Sequence, residues 1–192
     1  MSSLTSGYFD EMFRGDPDPW SFRSSWYERR KRGLILASLP RGRFSSGYEP
    51  ACANGETSAE LAGRVDSLLC SDFSVEALAL ARPRLAGLEN VRLARHCLPA
   101  DWPQERFDLI VLGELGYYLA PGDWANLCQC AAASLEPGGV LVACHWRHPI
   151  EGCALAGDAV HEYLARALRT AAKISHVERD FRLELWFDED AA

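Results

Sequence analysis

The pattern of apolar and polar residues along this chain is typical of strands separated by amphipathic helices. A nearly continuous apolar run covers Phe107–Gly113, and shorter apolar segments end at the acidic residues Glu49 and Asp72. A continuous apolar run between helical patterns is typical of a central parallel strand that is covered on both faces. The repeated strand and helix units therefore predict an α/β fold with right-handed crossovers.

The remaining periodicity predicts further helices and strands. Two amphipathic helices are expected before the first strand, over residues 4–14 and from Ser24 or Ser25 to about Pro40. Later helices are predicted at residues 74–85, 123–135 and 158–173, and strands at residues 65–72, 91–95, 107–113 and 140–144. Period-two alternation over residues 181–187 predicts a last strand that runs antiparallel to residues 174–178.

Three local signals refine these bounds. Thr57 and Glu60 have the spacing of a capping box, which predicts a helix that begins at Thr57. Ser74 is expected to open the helix that follows Asp72. Pro137-Gly138-Gly139 is expected to break the preceding helix and to lead into the strand at residues 140–144.

Two of the predicted strands end in carboxylates. Glu49 precedes a turn of small residues, where backbone amides at a helix N-terminus can face a ligand. A carboxylate there disfavours a phosphate and favours a ligand with a positive charge or hydroxyl groups. Asp72 follows the turn at about the 20-residue spacing at which an acid accepts hydrogen bonds from a ribose diol. The alternative is a helix-flanking loop aspartate.

The carboxyl ends of the strands define the candidate site, because ligands of such sheets bind there. These ends are Glu49, Asp72, the loop of residues 96–98, Gly113 with Glu114, and His145 with Trp146. Their convergence predicts one ligand-binding region.

Composition narrows the function classes. The chain has 192 residues and a net charge of −7, without the basic patch that usually marks nucleic-acid binding. Its seven cysteines form no CxxC pair or zinc spacing, which favours a reducing cytoplasm and gives no support for metal dependence. No apolar run approaches the roughly 18 residues of a membrane-spanning helix.

With these residues placed, the chain resembles the class I S-adenosylmethionine-dependent methyltransferases. The resemblance is carried by the strand end and turn of residues 49–55, by Asp72, by Phe107-Asp108-Leu109-Ile110 and by Leu135-Glu136-Pro137-Gly138-Gly139. It implies a single domain over residues 1–192, in which residues 1–40 form an N-terminal helical lid. Residues 44–192 would then form a Rossmann-like core, with a mainly parallel twisted sheet and an antiparallel last strand.

More narrowly, the chain resembles the nodulation protein S (NodS-type) methyltransferases, which N-methylate the deacetylated glucosamine end of chitooligosaccharides. The segments that carry this closer match are Asp16-Pro17-Asp18-Pro19-Trp20, Trp26-Tyr27-Glu28-Arg29-Arg30-Lys31, Gly113-Glu114-Leu115-Gly116-Tyr117-Tyr118-Leu119, His145-Trp146-Arg147-His148-Pro149 and Gly157-Asp158-Ala159-Val160-His161. The resemblance implies S-adenosylmethionine as cofactor, S-adenosylhomocysteine as product, and a small-molecule amine, such as an amino sugar, as acceptor.

The same resemblance implies a set of cofactor-binding residues. Glu49 is expected to meet the methionine ammonium, Asp72 the ribose hydroxyls and Phe73 the adenine. The further cofactor contacts are expected from the lid residues Trp20, Tyr27 and Arg30, from the turn residues Ala51 and Gly55, and from Cys97, Leu98 and Gly113. For the lid residues, helix packing and a solvated basic face are the alternative.

An amine must be unprotonated to accept a methyl group, which favours a nearby carboxylate or imidazole as proton acceptor. The candidate catalytic residues are Glu114, His145, Asp158 and His161. Each has a structural alternative; Asp158, for example, is placed to be the N-cap of its helix. The candidate acceptor-binding residues are Tyr117, Tyr118, Trp146 and Arg147, which are equally consistent with packing.

One departure from the family pattern concerns the turn. Ala51 and Ala53 stand where the family has glycine, and only Gly55 remains. Alanine does not adopt a positive φ without cost, so we expect weaker cofactor binding, a differently shaped loop, or loss of binding. Three alternatives to an N-methyltransferase therefore stay open: a cofactor-binding protein without turnover, an O-methyltransferase, and an NAD-dependent oxidoreductase, for which the turn lacks GxGxxG.

Overall fold

The computed structural model describes residues 2–188. These residues form two compact units, one of residues 5–96 and the other of residues 2–4 with 97–188. Within the described residues no helix is long and apolar enough to cross a membrane.

The unit of residues 5–96 combines helices with a parallel sheet. Its elements are α1 (Ser6–Gly15), α2 (Trp26–Ser38), β1 (Phe44–Pro50), α3 (Glu56–Leu61), β2 (Val65–Asp72), α4 (Val75–Leu85) and β3 (Val91–Arg95). The strands lie in the order β3-β2-β1 and all run parallel. Apolar residues of both layers, among them Tyr48, Leu61 and Ala81, are fully buried and form the core.

Hydrogen bonds at helix ends fix the start of α4. The Ser74 hydroxyl accepts a hydrogen bond from the amide of Ala77 at 3.1 Å, which caps the helix. The same hydroxyl donates to the Asp10 carboxylate of α1 at 2.6 Å. Arg14 forms an ion pair with Glu76 at 2.9 Å. Helix α1 is therefore tied to the first turn of α4, directly after Asp72.

The unit of residues 2–4 with 97–188 contains a mixed sheet. Its elements are β4 (Phe107–Gly113), a 3-10 turn (Gly116–Tyr118), α5 (Pro121–Ser134), β5 (Leu135–Trp146), α6 (Gly157–Leu168), β6 (Ile174–Val177) and β7 (Phe181–Trp186). The strand order is β4-β5-β7-β6. Strands β4 and β5 are parallel, whereas β7 runs antiparallel to both β5 and β6.

The strands predicted from periodicity agree closely with these bounds. Strands β2, β3 and β4 begin and end at the predicted residues, and the antiparallel pair at the end of the chain is confirmed. Ser74 also opens α4 as predicted. Hydrophobic periodicity was informative here because these strands lie in sheets whose faces are covered by apolar residues.

Three local predictions were wrong. Helix α3 begins at Glu56 without a side-chain cap, because the left-handed Gly55 forms its N-cap and Thr57 lies inside the helix. Pro137-Gly138-Gly139 lies within β5, where a register shift against β4 absorbs the extra residues. Helix α6 ends at Leu168 rather than at residue 173, because Arg169 adopts a left-handed conformation.

We predict that Gly157→Ala destabilises the protein by about 2–4 kcal/mol. A Cβ atom at residue 157 would overlap the carbonyl oxygen of Trp146, which is backbone and cannot turn away. Gly122→Ala is the matched control, since it also lies in the first turn of a helix but faces open space. Urea unfolding measures both changes, and equal stability of the two variants would contradict the prediction.

Candidate functional site

The turn after β1 has an unusual backbone. Ala51, Ala53 and Gly55 have φ angles of 56°, 49° and 81°, so all three lie in the left-handed region. Two amide hydrogen bonds of 2.9 Å hold the turn, from Cys52 to the carbonyl of Ser71 and from Gly55 to the carbonyl of Cys52. The turn thus adopts the conformation that suits glycine at two positions that carry alanine.

Asp72 connects this turn to the next helix. Its buried carboxylate accepts hydrogen bonds from the amides of Ala53 at 3.0 Å and Ser74 at 2.9 Å. Burial raises the pKa of Asp72 to about 6, and the two amide hydrogen bonds oppose that rise. Each carboxylate oxygen has two lone pairs, so both oxygens can accept a further donor from a ligand.

Glu49 lies at the end of β1 in an apolar setting. It accepts a hydrogen bond from the hydroxyl of Ser58, and the thiol of Cys70 lies 3.7 Å away. Burial raises the pKa of Glu49 to about 7. Within residues 2–188, neither Glu49 nor Asp72 pairs with a cationic side chain. Buried carboxylates without a cation are complementary to a cationic or hydroxyl-bearing ligand.

Asn54, which sequence analysis overlooked, is also part of the turn. Its amide nitrogen donates to the carboxylate of Asp18 at 3.0 Å, and the residue is 1% exposed. Asp18 also accepts the amides of Phe22 and Arg23, at 2.8 and 3.0 Å. The amide oxygen of Asn54 is buried and accepts no hydrogen bond from the described residues. Such a buried acceptor without a partner is rare in folded proteins.

Two of the residues predicted to contact the cofactor, Trp20 and Phe73, lie in a cluster of aromatic side chains. Trp20 packs against Phe13 and Phe22 with ring centroids 5.7 and 5.5 Å apart. Phe73 lies 5.4 Å from the ring of Phe9. In α2, Lys31 lies over the ring of Tyr27 at 5.1 Å, and Arg30 is half-buried. These contacts agree with helix packing, and the cofactor contacts of Trp20, Tyr27, Arg30 and Phe73 stay predictions.

Glu114 follows β4 in a strained conformation. Its φ angle is 50°, and non-glycine residues with such angles concentrate at functional sites. Its carboxylate accepts hydrogen bonds from the amide of Trp146 at 2.9 Å and from the hydroxyl of Tyr117. The amide of Glu114 donates to the carbonyl of Cys144 at 3.0 Å. The end of β5 therefore holds this loop through both backbone and carboxylate.

His145 and His161 lie together in the interior. Nδ1 of His145 lies 3.2 Å from Nε2 of His161, and Nε2 of His145 accepts the amide of Gly116 at 3.3 Å. Nδ1 of His161 lies 2.8 Å from the carboxylate of Glu184. All four ring nitrogens are therefore engaged and both rings are fully buried. Sequence analysis missed Glu184, because the period-two pattern of β7 assigned it to a polar face.

Asp158 and Arg147 pair with each other. Nε and Nη2 of Arg147 both lie 3.0 Å from the Asp158 carboxylate, and the hydrogen bond from Arg147 lowers the pKa of Asp158. Ala156 is the N-cap of α6, so the interpretation of Asp158 as N-cap was wrong. Asp158, a predicted proton acceptor, therefore forms an ion pair with Arg147, which was predicted to bind the methyl acceptor.

The remaining predicted residues occupy loops and strand ends. The rings of Tyr117 and Tyr118 meet edge to face at 4.7 Å, and the ring of Trp146 lies 4.8 Å from that of His148. Cys97 is exposed and its amide donates to Asp101 at 2.9 Å. Leu98 is half-buried, and a side chain at Gly113 would face open space. Their ligand roles stay predictions.

Comparison with known proteins agrees with this architecture. A model of the methyltransferase domain family matches residues 48–139. Nodulation protein S of Rhizobium tropici is 31% identical over 129 residues, which are 65% of this chain and 53% of that protein. The chain spans about half the length of the curated relatives it matches, which are nodulation S proteins of three rhizobial species.

Solved structures extend the match. A crystal structure of a candidate methyltransferase from Pseudomonas syringae is 49% identical, covering 85% of this chain and 100% of its own, with a TM-score of 0.76. The N-methyltransferase NodS from Bradyrhizobium japonicum, in complex with S-adenosylhomocysteine, is 24% identical, with coverages of 97% and 100% and a TM-score of 0.85. The chain therefore belongs to the methyltransferases, and it is similar to the nodulation S proteins. The predicted Rossmann-like fold is confirmed.

The left-handed alanines lead to a stability prediction. Ala51→Gly and Ala53→Gly should each stabilise the protein by about 0.5–1 kcal/mol, because glycine removes the cost of a positive φ. Ala79→Gly is the control: Ala79 is exposed within α4, where glycine should destabilise by about 1 kcal/mol. Denaturant unfolding measures all three. Loss of stability in both turn variants would show that the turn is not strained.

The raised pKa of Glu49 predicts a pH dependence of stability. The folded protein holds the proton more tightly than the unfolded chain, in which the pKa is about 4.5. The protonated Glu49 therefore makes its full contribution to the free energy of unfolding below pH 4.5. This contribution is lost as the pH rises through about 7. Between about pH 5 and 8 the loss is on the order of 2–3 kcal/mol.

Glu49→Gln should remove this part of the pH dependence. Glu89→Gln, which changes an exposed carboxylate of the same unit, is the control and should leave it intact. Urea unfolding at several pH values between 5 and 8 distinguishes the two. The same slope in wild type and Glu49→Gln would mean that Glu49 titrates in the ordinary range.

Proposed function

We propose that this chain transfers a methyl group from S-adenosylmethionine to the nitrogen of a small-molecule amine. The observation that carries the proposal is the pair of buried carboxylates, Glu49 and Asp72, that flank a left-handed turn without a cationic partner among the described residues. The family relationship and the N-methyltransferase activity named for NodS of Bradyrhizobium japonicum support it.

The residues of the turn fit the proposed cofactor. Glu49 suits the ammonium of its methionine part, and Asp72 suits its ribose hydroxyls. When bound, S-adenosylmethionine supplies an electrophilic methyl group. The protein's part is to position the reacting groups and to exclude water. Cofactor contacts of the lid within residues 1–40, the single-domain organisation and the cytoplasmic setting remain parts of the proposal.

Among the four candidate proton acceptors, we favour Glu114. Its carboxylate is half-buried, and the Tyr117 hydroxyl and Trp146 amide that donate to it are both neutral groups. His145 and His161 have both ring nitrogens engaged, and Asp158 is paired with Arg147. Glu114 is therefore proposed to receive the proton of the amine, with Tyr117 holding the carboxylate through its hydroxyl.

The proposed acceptor is an amino sugar, such as the deacetylated glucosamine end of a chitooligosaccharide. This choice rests on the nodulation S relatives and on aromatic residues near Glu114, Tyr118 and Trp146, which provide flat apolar surfaces for a sugar ring. The strained Ala51 and Ala53 favour one alternative, a protein that binds the cofactor without turnover. An O-methyltransferase is the other alternative.

Calorimetric titration with S-adenosylhomocysteine tests the cofactor site. We expect micromolar binding to the wild-type protein and an affinity at least about tenfold lower in Asp72→Asn. The asparagine NH2 group would replace one carboxylate oxygen and would then face a backbone N–H, which is also a donor. Asp66→Asn, at the exposed start of the same strand, should bind as wild type does. No binding by the wild-type protein would refute the proposed cofactor.

Transfer to an acceptor tests the chemistry. With chitooligosaccharides carrying one free amine, wild type should release S-adenosylhomocysteine, whereas the fully acetylated oligosaccharide should give none. Glu114→Gln should lower kcat by about 100-fold while the Kd for S-adenosylhomocysteine is unchanged. Glu162→Gln, exposed on α6, should have no effect. Binding without transfer to any amine would favour the non-catalytic alternative, and transfer to a hydroxyl would favour O-methylation.

A further inference from the structure

A line of buried hydrogen bonds runs from the loop of Glu114 to the last strand. It starts at the amide of Gly116, passes through His145 and His161, and ends at the carboxylate of Glu184, with distances of 3.3, 3.2 and 2.8 Å. Both imidazole rings are fully buried and Glu184 is 5% exposed. These side chains come from β5, α6 and β7, so the line links three elements.

The direction of donation along this line is fixed at both ends. A backbone amide can only donate, so Nε2 of His145 must be the unprotonated nitrogen. The proton of a neutral His145 is then on Nδ1 and points to Nε2 of His161. His161 in turn carries its proton on Nδ1 and donates it to Glu184. A second proton on His145 would lie on Nε2 and would face the N–H of Gly116. A second proton on His161 would lie on Nε2 and would face the N–H of His145. Both rings must therefore be neutral.

The surroundings of the carboxylate keep it ionised as the final acceptor. Arg182 donates to Glu184 at 2.8 Å and Ser175 at 3.2 Å. Burial opposes this charge, but the hydrogen bonds from His161 and Arg182 outweigh it and lower the pKa of Glu184 to about 2. Burial also lowers the pKa of His161, although the hydrogen bond to Glu184 opposes this effect, and the charged Arg182 and Asp158 act on the pKa in opposite directions. The neutral rings and the ionised carboxylate are thus mutually consistent.

The other end of the line lies in the loop that carries Glu114 and Tyr117. Gly116 opens the 3-10 turn that carries Tyr117, whose hydroxyl donates to Glu114. A side chain at Gly116 would overlap Val160 of α6, so the turn packs closely against that helix. Rotation of His145, or loss of its acceptor nitrogen, would break the hydrogen bond from the Gly116 amide. The turn that carries Tyr117 would then be held less firmly.

We propose that Glu184 and His161 are positioning residues, which fix the tautomer of His145 and thereby orient Tyr117 and Glu114 toward the methyl acceptor. The inference rests on the proposed function of Glu114. It assigns to His145 and His161 a role other than the proton acceptors that the sequence suggested. It also gives Glu184, on a strand distant in sequence from the loop, a part in the rate of methyl transfer.

Nitrogen-15 NMR of the full chain tests the proposal, because long-range proton–nitrogen correlations distinguish the two imidazole tautomers. In the wild-type protein at pH 7, we expect His145 and His161 both as neutral rings with the proton on Nδ1. Glu184→Gln should change the tautomer population of His161 or His145 and shift the amide resonance of Gly116. Glu162→Gln, exposed on the same helix as His161, should change neither.

Kinetics provide the second measurement. Glu184→Gln should lower kcat by about tenfold and leave the Kd for S-adenosylhomocysteine within about twofold of wild type, since only the acceptor side is disturbed. His161→Phe, which keeps a ring but removes both nitrogens, should lower kcat in the same way. Where a variant loses thermal stability, assays below its unfolding transition with the Kd as folding control keep the comparison valid.

The outcomes separate this proposal from the proposed function. A wild-type His145 with its proton on Nε2, or an unchanged Gly116 resonance in Glu184→Gln, would overturn the positioning role whatever the activity. Unchanged kcat in both variants would also overturn it. If the wild-type protein has the expected tautomers and the Gly116 shift but transfers no methyl group, the proposed function fails while the link from Glu184 to the Gly116 loop is supported.

Discussion

The unit of residues 5–96 depends on the carboxylate of Asp72. One buried group accepts the amide of Ala53 in the turn and the amide of Ser74 at the start of α4. A buried carboxylate is costly unless it is hydrogen-bonded, and these two amides need an acceptor for the same reason. Because Ser74 also bonds to Asp10, the position of α1 is linked to the same point. The side chain of Asp72 thus connects the strand, the turn and the helices.

The elements that could be predicted from the sequence are those governed by local pattern. Strands β2 to β4 were predicted correctly because their apolar runs are bounded by polar residues. The capping box at Thr57 was wrong because the helix already begins after the left-handed Gly55. The break at residues 137–139 was wrong because pairing with another strand overrode local preference. Gly55 supplies the cap by its backbone conformation, and strand pairing with β4 incorporates the glycines as an irregularity of β5.

The candidate site could be predicted only in part, for a related reason. Strand ends identify the positions of Glu49, Asp72 and Glu114, since position along a strand can be read from periodicity. The partners of several other site residues cannot be read in this way, because they are more distant in sequence. The bond of Asn54 to Asp18, the pairing of Arg147 with Asp158, and the engagement of Glu184 by His161 depend on tertiary packing.

The alanines of the turn affect more than its energy. A methyl group at residues 51 and 53 removes backbone conformations that glycine would sample, both in the folded and in the unfolded chain. The turn therefore has fewer accessible backbone conformations than one built of three glycines. A ligand that fits this shape loses less conformational entropy on binding, whereas one that requires a different loop is rejected. Selectivity for ligand shape is thus built into the backbone.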